Sequence, residues 1–379
     1  MYMQAVHLPG LSAGEQPRYR FPDKGPAPED LLFTSASYPR PEFERTAKLQ
    51  TRYIVRVCAT ALTRGELTWI EVLQIGNFET HGGPIPGHDL VGIIDDVQYE
   101  PSVVPKFSKG DLVWGLISFD RNGAAAEYVM ALEDELALAP FPPPDHAAEN
   151  WNNTLATIPL SGLTAIQALF GHGGLKLSQL QSYNKSSQSR TVLILGAAGS
   201  VGVLTVQLAK LAGLNVVAAC GERLNGFVKQ NLEPDHILEH ETILRTGLSV
   251  EMKPLSIPDV DLVIDCVGGE ILKSTLLQQG CIRAGAKIVS IASPLTAYGD
   301  ETVSLIEDTC RQRKTQFEFF IVEPNSVELD ILGELLHNGK LRGYVEAVYT
   351  LQEARGAMKR IEEKTTSGKG KVVLEVYHT

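Results

Sequence analysis

The chain has 379 residues, 44% hydrophobic and 21% charged, with 34 Lys and Arg against 45 Asp and Glu for a net charge of −11. That apolar content supports a packed core and excludes a disordered or fibrous chain, and at about 150 residues per domain the length predicts two to three domains. The acidic balance offers no basic stripe for nucleic acid, no apolar run approaches the roughly 20 residues that cross a bilayer, and the N-terminus lacks a basic-then-apolar leader. The expectation is a cytoplasmic protein with neither nucleic-acid nor membrane partners.

The first 160 residues read as short strands, among them 53–59, 90–94 and 111–115. Gly82, Gly83, Pro84, Pro86 and Gly87, and the Pro-rich stretch 140–144, punctuate them as turns. This is the pattern of a β-rich domain, with residues 9–50 expected as a long surface excursion. From about residue 190 the pattern changes. An apolar run at 191–195 is followed by a helical period over 200–211, and further apolar strands are predicted at 216–219, 261–265 and 287–291. Strands alternating with helices imply a parallel sheet covered on both faces. Residues 171–190 form a polar loop before it. Helices are predicted at 327–337 and 351–363, then a strand at 371–376 with no partner in the α/β block. That strand is expected to return to the N-terminal domain, giving a discontinuous domain of residues 1–160 and 323–379 around a second of 161–322.

Five cysteines, Cys58, Cys220, Cys266, Cys281 and Cys310, are odd in number, widely spread and free of any C-x-x-C pair. This argues against a disulfide framework and against a thiolate zinc site.

The strongest motif lies between the run at 191–195 and the helix at 200–211: Gly196, Ala197, Ala198, Gly199, Ser200, Val201, Gly202. Ala197 replaces the first glycine of the usual turn. Gly199 would let backbone approach a pyrophosphate, Gly202 would allow close helix–sheet packing, and the helix N-terminus offers free N–H groups. The choice of cofactor turns on the end of the second strand, where an acid would hold ribose hydroxyls. Gly221 stands near that place. Gly221, Arg223 and Lys229 favour NADPH; Glu222 argues against it unless it points to solvent, and an ordinary charged loop is the alternative.

These residues carry a family likeness. The chain resembles the medium-chain dehydrogenase/reductase superfamily, in its zinc-independent quinone oxidoreductase and enoyl reductase branch. The resemblance rests on Pro86-Gly-His-Asp-Leu-Val-Gly92, Pro159-Leu-Ser-Gly-Leu-Thr-Ala-Ile-Gln-Ala-Leu169, the Gly199 loop, Asp261-Leu-Val-Ile-Asp-Cys-Val-Gly-Gly269, and Gly339-Lys-Leu-Arg342 with Gly370-Lys-Val-Val-Leu374. It covers about residues 50–379. The longer loop at 171–190 is similar to an insertion in fungal trans-acting enoyl reductases. The resemblance implies a GroES-like β domain for substrate, a Rossmann domain with a doubly wound parallel sheet for NADPH, and catalysis in the cleft. It also implies cofactor contacts at Thr164, Ala198, Gly199, Ser200, Val201, Gly202, Val267, Ile291, Ala292 and Lys371, and a homodimer continuing the sheet through strand 316–322.

In zinc-dependent members a Cys, a His and a second Cys hold the metal. His88 matches the histidine, while Thr63 and Ser161 stand at the cysteine positions, so the resemblance implies no metal. Without one, catalysis needs an electron-poor substrate held against the nicotinamide, with hydrogen-bond donors where negative charge develops. A conjugated enone, enoyl thioester or quinone fits. Enoyl reductases of the branch often carry a tyrosine after Gly-Asn; here Gly76 and Asn77 precede Phe78, so that hydroxyl is missing. Thr63 can donate a hydrogen bond, Glu66 can relay a proton if burial raises its pKa, and Arg64 can orient a carbonyl. Trp69, Phe78, His88 and Trp114 are candidates for the substrate wall. The expected activity is a metal-independent NADPH-dependent reductase of an activated C=C or a quinone. The alternatives are an alcohol/ketone oxidoreductase and a non-catalytic NADPH-binding sensor.

Overall fold

The computed structural model describes residues 1–9, 26–43, 50–69, 83–144, 150–180, 190–278, 280–363 and 367–377. These form two compact units, Met1–Leu160 with Glu323–Thr379, and Ser161–Val322.

The first unit opens with β1 (Tyr2–His7), paired antiparallel with β2 (Leu32–Pro39). The stretch expected as a surface excursion therefore contains a strand. Buried Leu31 and Tyr38 tie it down, and the Tyr38 hydroxyl donates to Gly83 O at 2.8 Å. β3 (Arg52–Leu62) is the spine of the main sheet. It pairs antiparallel with β4 (Asp89–Gln98) and, over its first half, with β6 (Tyr128–Leu132). β5 (Leu112–Leu116) and β7 (Leu136–Leu138) continue outward from β4. Tyr53, Val55 and Val57 of β3 face Leu90, Ile94, Val113 and Leu136 in one dry cluster, which the alternation of a half-buried strand dictates.

The chain then enters the second unit through the helix Pro159–Ile166. Here β8 (Thr191–Leu195), β9 (Asn215–Cys220), β10 (His236–Glu239), β11 (Val260–Asp265), β12 (Ile282–Ser290) and β13 (Gln316–Phe319) form one sheet. Every pairing in it is parallel. The spatial order is β10-β9-β8-β11-β12-β13. Counted within the unit this is 3-2-1-4-5-6, the doubly wound arrangement whose order reverses between its first and fourth strands. β8 and the centre of β11 are fully dry, as strands covered on both faces must be.

On its return to the first unit the chain forms the helix Ser326–His337, whose first turn is capped by the Asn325 side chain accepting from the Val327 and Glu328 N–H groups. β14 (Val345–Thr350), the helix Ala354–Glu362 and β15 (Lys371–Glu375) complete it. β15 pairs antiparallel with β3, Val372 opposite Leu62 and Leu374 opposite Thr60. Among the described residues no helix is long and apolar enough to cross a membrane.

Candidate active site and nucleotide loop

In the first unit, the backbone turn after β3 places Glu66 and Trp69 beside residues that precede β4. Gly65 takes φ 80°, and its N–H donates to Glu362 at 2.6 Å. The turn then coils through Glu66–Thr68 and carries Glu66 inward, 5% exposed. A cavity of about 20 Å³ opens there, lined by Leu8, Glu66, Trp69, Ile85, His88 and Phe119. That is the room of one water molecule and too little for a quinone ring. Trp69, His88 and Phe119 form an aromatic trio: His88 and Trp69 each meet Phe119 edge-on, at 5.0 and 5.1 Å between ring centres.

Two polar groups govern this wall. Neither Glu66 carboxyl oxygen has a hydrogen-bond partner of good geometry, and Thr63 Oγ1 nearby is likewise buried and unsatisfied. Burial pushes the Glu66 carboxyl up to about 8, against the opposing pull of Lys371 and the Thr63 backbone and with further push from Asp89 and Glu362. Glu66 is therefore a neutral acid at neutral pH, holding a proton. His88 goes the other way: burial lowers it to about 4, so the ring is neutral. Its Nδ1–H donates to Ile117 O at 3.1 Å, which leaves Nε2 as an acceptor.

The other expected side chains scatter. Arg64 sits exposed on the turn. Trp114 is fully buried in β5, against Gly333 of the helix Ser326–His337, so it packs the core and does not line the cavity. Phe78 lies outside the described residues. Lys371, expected at the cofactor, is buried in an ion pair with Asp89, whose second oxygen accepts the Leu160 N–H at 2.8 Å. Asp89 was not singled out in the sequence, although it follows His88 directly.

In the second unit, the loop between β8 and the helix Ser200–Leu211 is built by its glycines. Gly196 takes φ 83°, and a methyl at Gly202 would lie 2.1 Å from Gly196 O, so the helix meets the loop only because Gly202 has no side chain. At Gly199 the nearest atom to such a methyl is Gly196 O at 3.4 Å, so that face is open. Gly199 is exposed, Ser200 half-buried, and Ala198, Val201 and Gly202 buried behind it. With Gly199 as N-cap and no side chain capping it, the first-turn N–H groups await an external acceptor. This cradle fits a pyrophosphate.

Residues that sequence reasoning passed over shape the rim. His240 Nε2 accepts from Gly196 N–H at 3.3 Å. At the end of β11, buried Asp265 accepts from the Val267 and Gly268 N–H groups at 3.0 and 2.9 Å, and from Ser290 Oγ at 2.6 Å. Ser290 Oγ in turn accepts from Ala292 and Ser293 N–H. One carboxylate thus fixes both loops carrying Val267, Ile291 and Ala292. Its signal was a lone acid closing an apolar strand. Thr164 is buried on the helix Pro159–Ile166, while Arg223 and Lys229 are exposed.

Among the described residues no group of three or more His, Cys, Asp or Glu is placed to hold a metal ion. The donor set tied to His88 in zinc-dependent members would here be the hydroxyls of Thr63 and Ser161, which do not ionise at neutral pH. These residues do not fit a tightly held zinc.

The β-rich unit thus carries a buried acid and the doubly wound unit a glycine cradle. Residues 238–374 match the family model described as "Zinc-binding dehydrogenase". The chain is 31% identical over 347 residues to the "Probable zinc-binding oxidoreductase, mitochondrial" of Arthroderma benhamiae, covering 91% of this chain and 93% of that protein. It is 30% identical over 295 residues to the "Chloroplast envelope quinone oxidoreductase homolog" of Arabidopsis thaliana, covering 77% and 79%. Among solved structures, the quinone oxidoreductase from Coxiella burnetii superposes with a TM-score of 0.72 at 23% identity over 100% of both chains, a likeness of fold. The chain belongs to the medium-chain dehydrogenase/reductase superfamily.

Proposed function

We propose that this chain is a metal-independent NAD(P)H-dependent reductase of an activated C=C or a quinone. Glu66 carries the reading: a protonated, unpartnered carboxyl facing a cavity among aromatic rings. When bound, a reduced nicotinamide would supply hydride to the electron-poor carbon. As hydride added, negative charge would develop on the substrate carbonyl oxygen, and an acid near pKa 8 is matched to supplying its proton at neutral pH through a water of the adjoining cavity, which is too small for the substrate itself. Thr63 Oγ1, buried without an acceptor, is the second donor for that oxygen. His88 Nε2 offers an acceptor for a hydroxyl, and Trp69 and Phe119 offer apolar ring faces. The Gly199 loop and the helix N-terminus behind it would hold the pyrophosphate, with Val267, Ile291 and Ala292 at the rim.

Zinc independence is part of this proposal and rests on the donor set at Thr63, His88 and Ser161. A homodimer through the sheet is also proposed. β13 is the edge strand, and Phe317 and Phe319 are half-buried there. Sedimentation of Phe317→Glu as a monomer beside a dimeric parent would support it. The cytoplasmic expectation rests on composition alone, and the names of the two relatives above place those proteins in a mitochondrion and a chloroplast envelope.

The test mixes full-length protein, EDTA and reduced dinucleotide with a panel of quinones, enones and enoyl thioesters, and follows the nicotinamide absorbance. Oxidation indifferent to EDTA is the expected result. Tight dinucleotide binding without turnover on any substrate would overturn the reductase reading.

A further inference from the structure

The nucleotide loop leaves open which dinucleotide it takes, and the residues around the end of β9 bear on that choice. This step rests on the dinucleotide reading proposed above. Gly221, the first residue after β9, has no side chain, so the usual place for a ribose-binding acid is empty of one. The space is not unattended. A methyl built on Gly221 would meet a single neighbour within 4 Å, Glu241 Oε1 at 3.5 Å.

Glu241 comes from the adjacent strand's connection. β10 runs parallel to β9 with Glu239 opposite Cys220, and the helix His240–Thr246 starts directly after it. This register brings the second residue of that helix alongside Gly221. The neighbouring acid, Glu239, is already engaged: one oxygen accepts from Asn225 Nδ2 at 2.6 Å, the other from Thr242 Oγ1 at 3.3 Å. Glu241 is exposed, and no hydrogen bond or ion pair holds it among the described residues. The Cys220 thiol registers the local field, pushed up to about 11 by burial and then by Glu239 and Glu241.

The two cations that favour NADPH are less well placed. Lys229 lines a groove with Glu239, Thr242 and Glu251, so two carboxylates share that surface with it. Arg223 is exposed on its turn, beside exposed Glu222.

The geometry points to Glu241 as the residue that selects the dinucleotide: its carboxylate reaches across to Gly221, accepts the adenosine ribose hydroxyls and repels a 2′-phosphate, so the chain takes NADH in preference to NADPH. A carboxylate does this from any element that reaches the ribose, because the discrimination depends on charge and hydrogen-bond acceptance, not on the strand of origin.

The test is binding, read without turnover. Full-length protein is titrated with NADH and separately with NADPH, following nicotinamide fluorescence, for the parent, Glu241→Gln and Glu241→Lys. The parent is expected to bind NADH at least about tenfold more tightly, the Gln variant to narrow that ratio to about threefold or less, and the Lys variant to invert it. Glu241 is exposed, so the variants should melt with the parent. A parent that binds NADPH as tightly as NADH overturns the inference, as does a Gln variant with an unchanged ratio. If neither dinucleotide binds, the dinucleotide reading itself falls, an outcome distinct from a wrong preference.

Discussion

Replacing Glu66 by Gln separates the cost of holding this acid from its use. Its carboxyl stands near 8 in the folded chain against 4.5 when exposed, with burial as the main cause. A raised acid favours the fold below its unfolded pKa, and that contribution is lost as pH rises through the folded value. For a shift of this size the relative cost to the parent is about 1 kcal/mol at pH 5, about 3 at pH 7, and levels near 5 above pH 8 to 9. Glutamine keeps the shape and cannot ionise. Urea unfolding of both proteins from pH 5 to 9 should therefore show the variant gaining on the parent as pH rises, with nearly all the gain accrued by pH 8. In parallel, the parent's kcat/KM should fall above about pH 8, and the variant should lose most of its activity together with that limb. A stability difference independent of pH would refute the assignment of a buried neutral acid.

Three further outcomes test the frame around it. Gly202→Ala sets a methyl 2.1 Å from Gly196 O and should cost about 1–3 kcal/mol, whereas Gly199→Ala, at 3.4 Å from its neighbour, should leave the melting temperature nearly unchanged and still weaken dinucleotide binding at least about tenfold. Equal effects of both on stability would argue against an open loop face. Lys371→Met leaves the Asp89 carboxylate buried and alone, at about 3–5 kcal/mol, and adding Asp89→Asn should recover much of the loss; no recovery in urea midpoints would mean the ion pair is not the cause. His88 has a folded pKa near 4 against 6.5, so acid favours the unfolded chain, which takes the proton first. Between pH 7 and 4.5 the parent should lose about 2 kcal/mol relative to His88→Gln, and a constant difference would exclude a buried neutral ring.

Periodicity made the doubly wound unit legible, because its strands are apolar on both faces and its glycines are required by contacts a side chain would forbid. The strand at 371–376 was legible by elimination: with no partner in the α/β block, it had to pair elsewhere. β2 was not. Its residues are half-exposed on a two-stranded sheet, and the register shift between Thr34 and Tyr38 breaks the period that Leu31 and Phe33 begin. At the site, Glu66 could be named from its place after β3, but its missing partners depend on how Trp69, His88 and Phe119 close around it. Asp265 and Glu241 were hidden for a different reason. Their roles come from the register of parallel neighbours, which brings together residues that no local pattern relates.

The pairing of Lys371 with Asp89 joins positions 282 residues apart in the sequence. During synthesis, β3 and β4 emerge early and must wait for almost the whole remaining chain before β15 and this lysine arrive. The doubly wound unit is meanwhile complete within one continuous stretch and can fold first. Until β15 arrives, the second half of β3, beyond the stretch that β6 covers, has an unpaired edge, and Asp89 is a carboxylate without its cation. Removing β15 would thus leave the stretch of the doubly wound unit whole and the β-rich unit without the strand beside Ala59–Leu62.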